Sequence, residues 1–292
     1  MAVEVAPGVF QIDTLLGGWE RVTAGYLVMG PPPVLVETGS QSSVPTVLAA
    51  LDELGVGPTD LGAIVVTHIH LDHAGGVGDV AAAFPGASVH VHPLGARHLA
   101  DPSRLVSSAG RVYGDLLDSL YGRLAPTPAE RIQALGDGER VGTLTAVHSP
   151  GHAKHHLALH DEASGLLFAG DAVGVRLPDV GVLRPATPPP DFDLELALAS
   201  LGRFAQRRPH ALALAHFGVV PGRPQDLLDE AEGSLRQWAE VAERAWQAGA
   251  DVDAALMDAF GASHARVEVL NGVHSNAAGL RRWLDQRAAS ET

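Results

Sequence analysis

Between Ala63 and Gly76 the sequence changes character in one step. Ala63-Ile64-Val65-Val66 is a continuous apolar run rich in β-branched residues, the pattern of a strand buried on both faces. Thr67-His68-Ile69-His70-Leu71-Asp72-His73-Ala74-Gly75-Gly76 follows at once. In extended chain, residues two apart face the same side, so His68 and His70 point together. The chain must then turn, which sets Asp72 and His73 at the start of the next helix, facing a neighbouring point. These donors fall into two pairs. An imidazole pair beside a carboxylate–imidazole pair suits two adjacent divalent cations. One histidine after a strand is ordinarily a polar loop residue. Three histidines and an aspartate packed together without metal would leave several buried polar groups competing for partners.

Further donors recur in equivalent places. His152, in Ser149-Pro150-Gly151-His152, follows the apolar stretch 144–148; Asp171 follows the run 166–169; His216 follows the run 211–215. Each lies just past the C-terminal end of a predicted strand, and several strand ends converging on one edge assemble a site from distant sequence. Imidazole and carboxylate donors suit zinc, iron and manganese alike; zinc is ranked first, iron or manganese behind it. The chain has no cysteine, which excludes thiolate ligands, a cysteine nucleophile and disulfides.

Strand patterns at 9–13, 26–29, 34–36, 63–66 and 88–92 alternate with helical spacing at 44–54 and 77–84. The stretch 94–128 reads as helical segments and a long loop. Strands return at 144–148, 157–160, 166–169 and 211–215, with a helix at 194–204 between the last two. This alternation predicts an α/β chain of sheets covered by helices. From residue 225 onward the pattern is helical, at 227–248, 251–260 and 276–287. We expect a main domain over 1–222 and a helical extension, 223–292, packed on it.

His68-x-His70-x-Asp72-His73, with His152, Asp171 and His216 downstream, resembles the metallo-β-lactamase superfamily signature in residue type and order. The likeness runs over roughly residues 9–220. It implies an αββα sandwich of two mixed sheets flanked by helices, with the site at one edge between the sheets. Carried over by position, one metal takes His68, His70 and His152, and the other takes Asp72, His73 and His216. Asp171 bridges them together with a water or hydroxide, and Asp72 also orients the nucleophile. A histidine ligand at 216 and the lack of a cysteine ligand resemble the glyoxalase II and lactonase branches. Two departures matter. Glu37-Thr38-Gly39 stands where the family often has Asp-Thr-Gly, so Glu37 is a candidate support for a metal-binding histidine. Ala153-Lys154-His155-His156 stands where relatives often carry Gly-His at the last two positions. His156 resembles the family's supporting histidine, and His155 is read as a surface or pocket residue. His90, His92 and His98 match no ligand position.

The reaction class that follows is metal-dependent hydrolysis of a small acyl ester, probe substrates being lactones and thioesters. The alternatives are a mononuclear iron persulfide dioxygenase using His68, His152 and Asp171, a phosphodiesterase, or a binding protein with a relic site; the complete ligand set argues against the last. Trp19, in a Gly-rich hairpin, Leu183 and the stiff segment 184–190 are candidate pocket walls. The formal charge of −14 disfavours nucleic acid and anionic membranes as partners. No apolar run approaches the ~18 residues that span a bilayer, and the N-terminus lacks a signal-peptide pattern. We expect a soluble cytoplasmic enzyme acting on a small molecule, with a homodimer as the default assembly.

Overall fold

The computed structural model describes residues 2–261 and 265–290. Two sheets lie face to face. The first runs β1 (Ala2–Ala6), β2 (Val9–Asp13), β3 (Ala24–Val28), β4 (Val34–Val36), β5 (Ala63–Val65), β6 (Ser88–Val91) and β7 (Ile132–Ala134), in chain order across the sheet. It is antiparallel from β1 to β4 and parallel from β4 to β7. The second contains β8 (Arg140–Val141), β9 (Leu144–His148), β10 (Leu157–Asp161), β11 (Leu166–Gly170), β12 (Ala211–Leu214) and β13 (Gly218–Val219), ordered β13-β12-β11-β10-β9-β8. Only the β11–β12 pair in it is parallel.

Side-chain alternation divides each strand between two apolar layers. Val34, Val36, Ala63 and Val65 turn inward and meet Leu157, Leu159, Leu166 and Phe168 of the opposite sheet. Leu35 and Ile64 turn outward, under α1 (Val44–Glu53), α3 (Val77–Ala83) and α4 (Pro93–Ala100), where Val47, Leu51, Val80 and Leu99 complete the layer. On the far side Ala158, Leu167 and Ala169 pack beneath α6 (Leu194–Arg207), α7 (Pro224–Gln247), α8 (Val252–Phe260) and α10 (Val273–Ser290). Helices on both outer faces explain why the central strands read as unbroken apolar runs. This is the expected αββα sandwich.

The C-terminal helices share one core with the second sheet: Leu235, Trp238 and Leu280 lie with Phe204 and Leu212. The stretch 94–128 holds α4, α5 (Ser103–Tyr113) and a turn at Leu117–Tyr121. The strands absent from the sequence reading are β1, β7, β8 and β13. They are short or lie at sheet edges, where pairing partners rather than apolar period define them. The helix α9 (Ala265–Asn271) was also not anticipated. Among the described residues no helix is long and apolar enough to cross a membrane.

Candidate metal centre

Every donor sits where a strand stops. β5 ends at Val65, and the chain runs through Thr67 to His70 before α2 (Leu71–Ala74) begins, so His68 and His70 leave extended backbone while Asp72 and His73 occupy the helix. His152, Asp171 and His216 follow β9, β11 and β12. Gly151, with φ 134°, brings the chain against Ala197 of α6, where a Cβ would collide with the helix backbone. Only glycine accommodates both that dihedral and that approach.

The structure brings all seven residues together. The nitrogen-only group is His68, His70 and His152. His70 Nδ1 lies 3.0 Å from His68 Nε2 and 3.0 Å from His152 Nε2. Burial first, and the neighbouring imidazoles next, hold His68 well below the ordinary histidine range and His70 down to about 3. These rings are therefore neutral, and one proton on His70 can satisfy only one of its two nitrogen neighbours. A cation at their centre satisfies all three.

The second group is Asp72, His73 and His216. Asp72 Oδ2 is 3.6 Å from His73 Nε2 and 3.4 Å from His216 Nε2. Asp171 stands between the groups. Its Oδ1 is 3.4 Å from His73 Nε2 and 3.5 Å from His216 Nε2, and its Oδ2 is 3.6 Å from His152 Nε2. Donors held tetrahedrally at ~2.1 Å from one ion lie ~3.4 Å from each other, close to these spacings. His73 Nε2 and Asp171 Oδ1 are buried and have no hydrogen-bond partner. Such orphaned atoms cost ~1–3 kcal/mol each unless something fills the space between them. The residues fit a metal.

The surroundings fix which ring nitrogen is free. His216 Nδ1 donates to Val22 O (2.9 Å) and His152 Nδ1 to Ala186 O (3.0 Å). His73 Nδ1 donates to Glu37 Oε2 (2.9 Å), while Glu37 Oε1 accepts from Thr67 N (2.7 Å). Each bond places the proton on Nδ1 and leaves the Nε2 lone pair facing the site. Burial opposes charge on His73, but Asp171, Asp72 and Glu37 outweigh it and raise its pKa well above the usual value, so the carboxylates favour positive charge at Nε2, which a proton supplies without metal and a cation would supply in its place. His156 belongs to none of the donor groups. Its Nε2 accepts from Asp171 N (3.1 Å) and its Nδ1 donates to Ser149 Oγ (2.8 Å), so it clamps the backbone that carries Asp171. Glu37 and His156 thus lie where supporting residues were expected.

A cavity of about 260 Å³ opens over both groups. His70, Asp72, His152, Asp171 and His216 line its floor; Leu71, Leu105, Val175, Pro188 and Leu270 are among its apolar walls. Segment 184–190 contributes Ala186 and Pro188–Pro190 to that wall. Trp19 and Leu183 do not reach it. Trp19 packs against the outer core beside the first sheet. Leu183 is buried and faces a separate space of about 460 Å³ bordered by Val175, Trp238 and Phe260. Alternate residues of an extended segment face opposite sides, so Leu183 and Ala186 part company. The wall residues not foreseen are Leu71 and Val175, together with Leu105, Ser108, Ala109 and Tyr113 from α5, and Leu270, Asn271 and Ser275 from the α9–α10 region. His155 is partly buried beside His68 and His70, with ring centroids 6.3 and 6.2 Å away, and belongs to none of the donor groups. Lys154 points outward to Asp191. His90 bonds Ser88, His92 stacks on His148 and His98 meets Arg97, all away from the centre.

A two-sheet sandwich with seven histidine and aspartate donors at one edge is the architecture of a metal-dependent hydrolase. Residues 17–216 match the metallo-β-lactamase superfamily, and the chain belongs to that superfamily. It is similar to the metallo-β-lactamase fold-containing protein ST1585 of Sulfurisphaera tokodaii, 27% identical over 208 residues, which are 68% of this chain and 74% of that protein. The crystal structure of ST1585 superposes with a TM-score of 0.72 at 24% identity, covering 94% of this chain and 98% of that one. A hydroxyacylglutathione hydrolase of Aeromonas hydrophila is 32% identical over 144 residues, 48% of this chain and 42% of that enzyme. An acyl-coenzyme A thioesterase of Gallus gallus, MBLAC2, is 32% identical over 126 residues, 41% of this chain and 44% of that one.

Proposed function

We propose that the protein is a dinuclear metal-dependent hydrolase of a small acyl ester, a thioester or a lactone. The observation that carries this reading is Asp171, whose two oxygens face different histidine groups, Oδ2 toward His152 and Oδ1 toward His73 and His216. Zinc is the first expectation for both positions, with iron or manganese as alternatives. Bound there, divalent cations supply Lewis acidity and a lowered pKa for water. His68, His70 and His152 would hold one ion, Asp72, His73 and His216 the other, and Asp171 both.

The chain's own groups do the rest. Asp72 lies on the cavity floor beside His73 and His216. From that position its carboxylate would orient the attacking water and relay a proton to the leaving group. Glu37 holds His73 in one orientation. The walls exclude water and seat an apolar acyl group, and no lysine or arginine borders the cavity itself among the described residues. Support for acyl substrates also comes from the thioester-cleaving relatives. We extend the proposal to a small-molecule substrate in the cytoplasm, with neither nucleic acid nor membrane as partner, and to a homodimer as the assembly.

The test is metal analysis after reconstitution, followed by a matched panel of lactones, acyl thioesters, aryl esters and bis-aryl phosphodiesters, with D72A as control. About two ions per chain and acyl turnover that D72A abolishes are expected. One ion with iron preferred, or phosphodiesters leading by orders of magnitude, would overturn this reading.

A further inference from the structure

One face of α5 is left unused by the chemistry above. Leu105, Ser108, Ala109 and Tyr113 line the metal cavity. Ser103, Arg104, Ser107, Ser108 and Arg111 line an adjoining cleft of about 360 Å³. Residues 104, 107, 108 and 111 follow the i, i+3, i+4, i+7 spacing, so they form one stripe along the helix. Ser108 lines both spaces, so the cleft and the metal cavity lie on either side of it.

Several surface arginines of this acidic chain are paired with carboxylates. Arg123 meets Asp118, Arg140 meets Glu162, Arg203 meets Asp137, and Arg236 and Arg244 meet the glutamates one turn earlier. Arg111 instead donates to two hydroxyls, Ser108 Oγ at 3.0 Å and Ser107 Oγ at 3.4 Å. Among the described residues neither Arg104 nor Arg111 has a carboxylate within ion-pair distance. Asp101 lies near Arg104, but its Oδ1 accepts from Ser103 N. The serine hydroxyls hold the Arg111 guanidinium along the helix and leave its other donors facing the cleft. A guanidinium held this way is preorganised for a planar or tetrahedral anion.

We infer that the Arg104–Arg111 stripe binds an anionic group, phosphate or carboxylate, on the part of the substrate that projects from the metal cavity. The inference rests on the acyl-hydrolase reading and narrows it: the apolar cavity takes the acyl group, and the cleft takes a charged carrier joined to it through the scissile bond. A thioester on an anionic thiol has this shape, and a simple lactone does not. The net charge of −14 repels anions at long range, so recognition must come from short contacts at the stripe rather than from steering.

Two measurements test this. The first is calorimetric binding to the metal-loaded protein. The probes are adenosine 3′,5′-bisphosphate for a phosphate source and S-methylglutathione for a carboxylate source, neither bearing a free thiol. One of the two should bind, more weakly at high salt, and R104A/R111A should weaken it by about tenfold or more. If neither binds, or the double variant binds as the wild type does, the inference fails. The second compares thioesters with one acyl group on coenzyme A, glutathione and uncharged N-acetylcysteamine. The double variant should raise KM for the anionic carrier and leave the neutral thioester unchanged. R236A, far from the cleft, should change nothing. An equal effect on charged and neutral substrates would also overturn the inference. Absence of turnover on all three, with probe binding intact and lost in the double variant, would count against the acyl-hydrolase reading and leave the anion site standing.

Discussion

Glu37 offers the sharpest test of how the centre is held. Its carboxylate accepts from two buried donors, Thr67 N at 2.7 Å and His73 Nδ1 at 2.9 Å, and is itself 3% exposed. In E37Q the side chain keeps its shape but must turn its NH2 toward one of those donors. Whichever way the amide turns, two N–H groups then face each other in a dry site, at a cost of ~1–3 kcal/mol. If the ring of His73 yields instead, its Nε2 leaves the metal. Loss of such an orienting partner weakens metal binding by about 10–100-fold, or ~1.4–2.7 kcal/mol. The two estimates agree, which indicates that the defect should appear in metal affinity. The assay is competition against a chromophoric chelator. One ion should be weakened, that of the Asp72, His73 and His216 group, while the His68, His70 and His152 ion keeps near-wild-type affinity. Far-ultraviolet circular dichroism should match the wild type. Unchanged affinity for both ions in a folded E37Q protein would refute the argument, because it would mean that the carboxylate does not hold His73 for metal.

Three further outcomes follow from the same geometry. D171A should weaken both ions and H216A mainly one, since Asp171 faces both donor groups and His216 only one; equal losses of a single ion in the two variants would remove the bridge. Chelation should lower the midpoint of thermal unfolding by roughly 8–16 °C for each ion normally present at ~1,000 times its dissociation constant, and readdition should restore it. In G170A the new Cβ would stand 2.5 Å from His156 Nε2 and 2.8 Å from Thr67 Oγ1 at a residue with φ 51°. Strain and the displaced His156 together should cost ~1–3 kcal/mol, or roughly 2–12 °C in the midpoint, and should loosen Asp171, which metal titration would detect.

The donors were legible in the sequence because each follows a strand buried on both faces, and such strands announce themselves as apolar runs. Glu37 and His156 were legible only as members of a resemblance; nothing in a lone carboxylate or a lone histidine says which ring or backbone group it will face. The cavity walls were the least legible part. A strand end fixes the direction of the one residue that follows it, whereas a wall is made wherever a distant segment happens to pack. Leu183 and Ala186 belong to one stretch without regular structure, yet they face different spaces because residues an odd number apart in extended chain point to opposite sides. Leu270, Asn271 and Ser275 reach the cavity only because buried Asn271 and Asn276 tie the C-terminal helices to the Pro-rich segment. Asn271 Nδ2 donates to Pro185 O at 3.0 Å, Asn276 Nδ2 to Asn271 Oδ1 at 2.8 Å, and Thr187 N to Asn276 Oδ1 at 2.6 Å. Nothing local marks those asparagines as different from surface ones; their role is set by the groups that meet them across more than eighty residues of chain. Chemistry at the strand ends is therefore a local property of this sequence, and substrate selection is a property of its packing. Substitutions among the C-terminal helices should accordingly change which substrates of an ester and thioester panel are accepted, read as kcat/KM, without changing how tightly the metals are held, read by chelator competition.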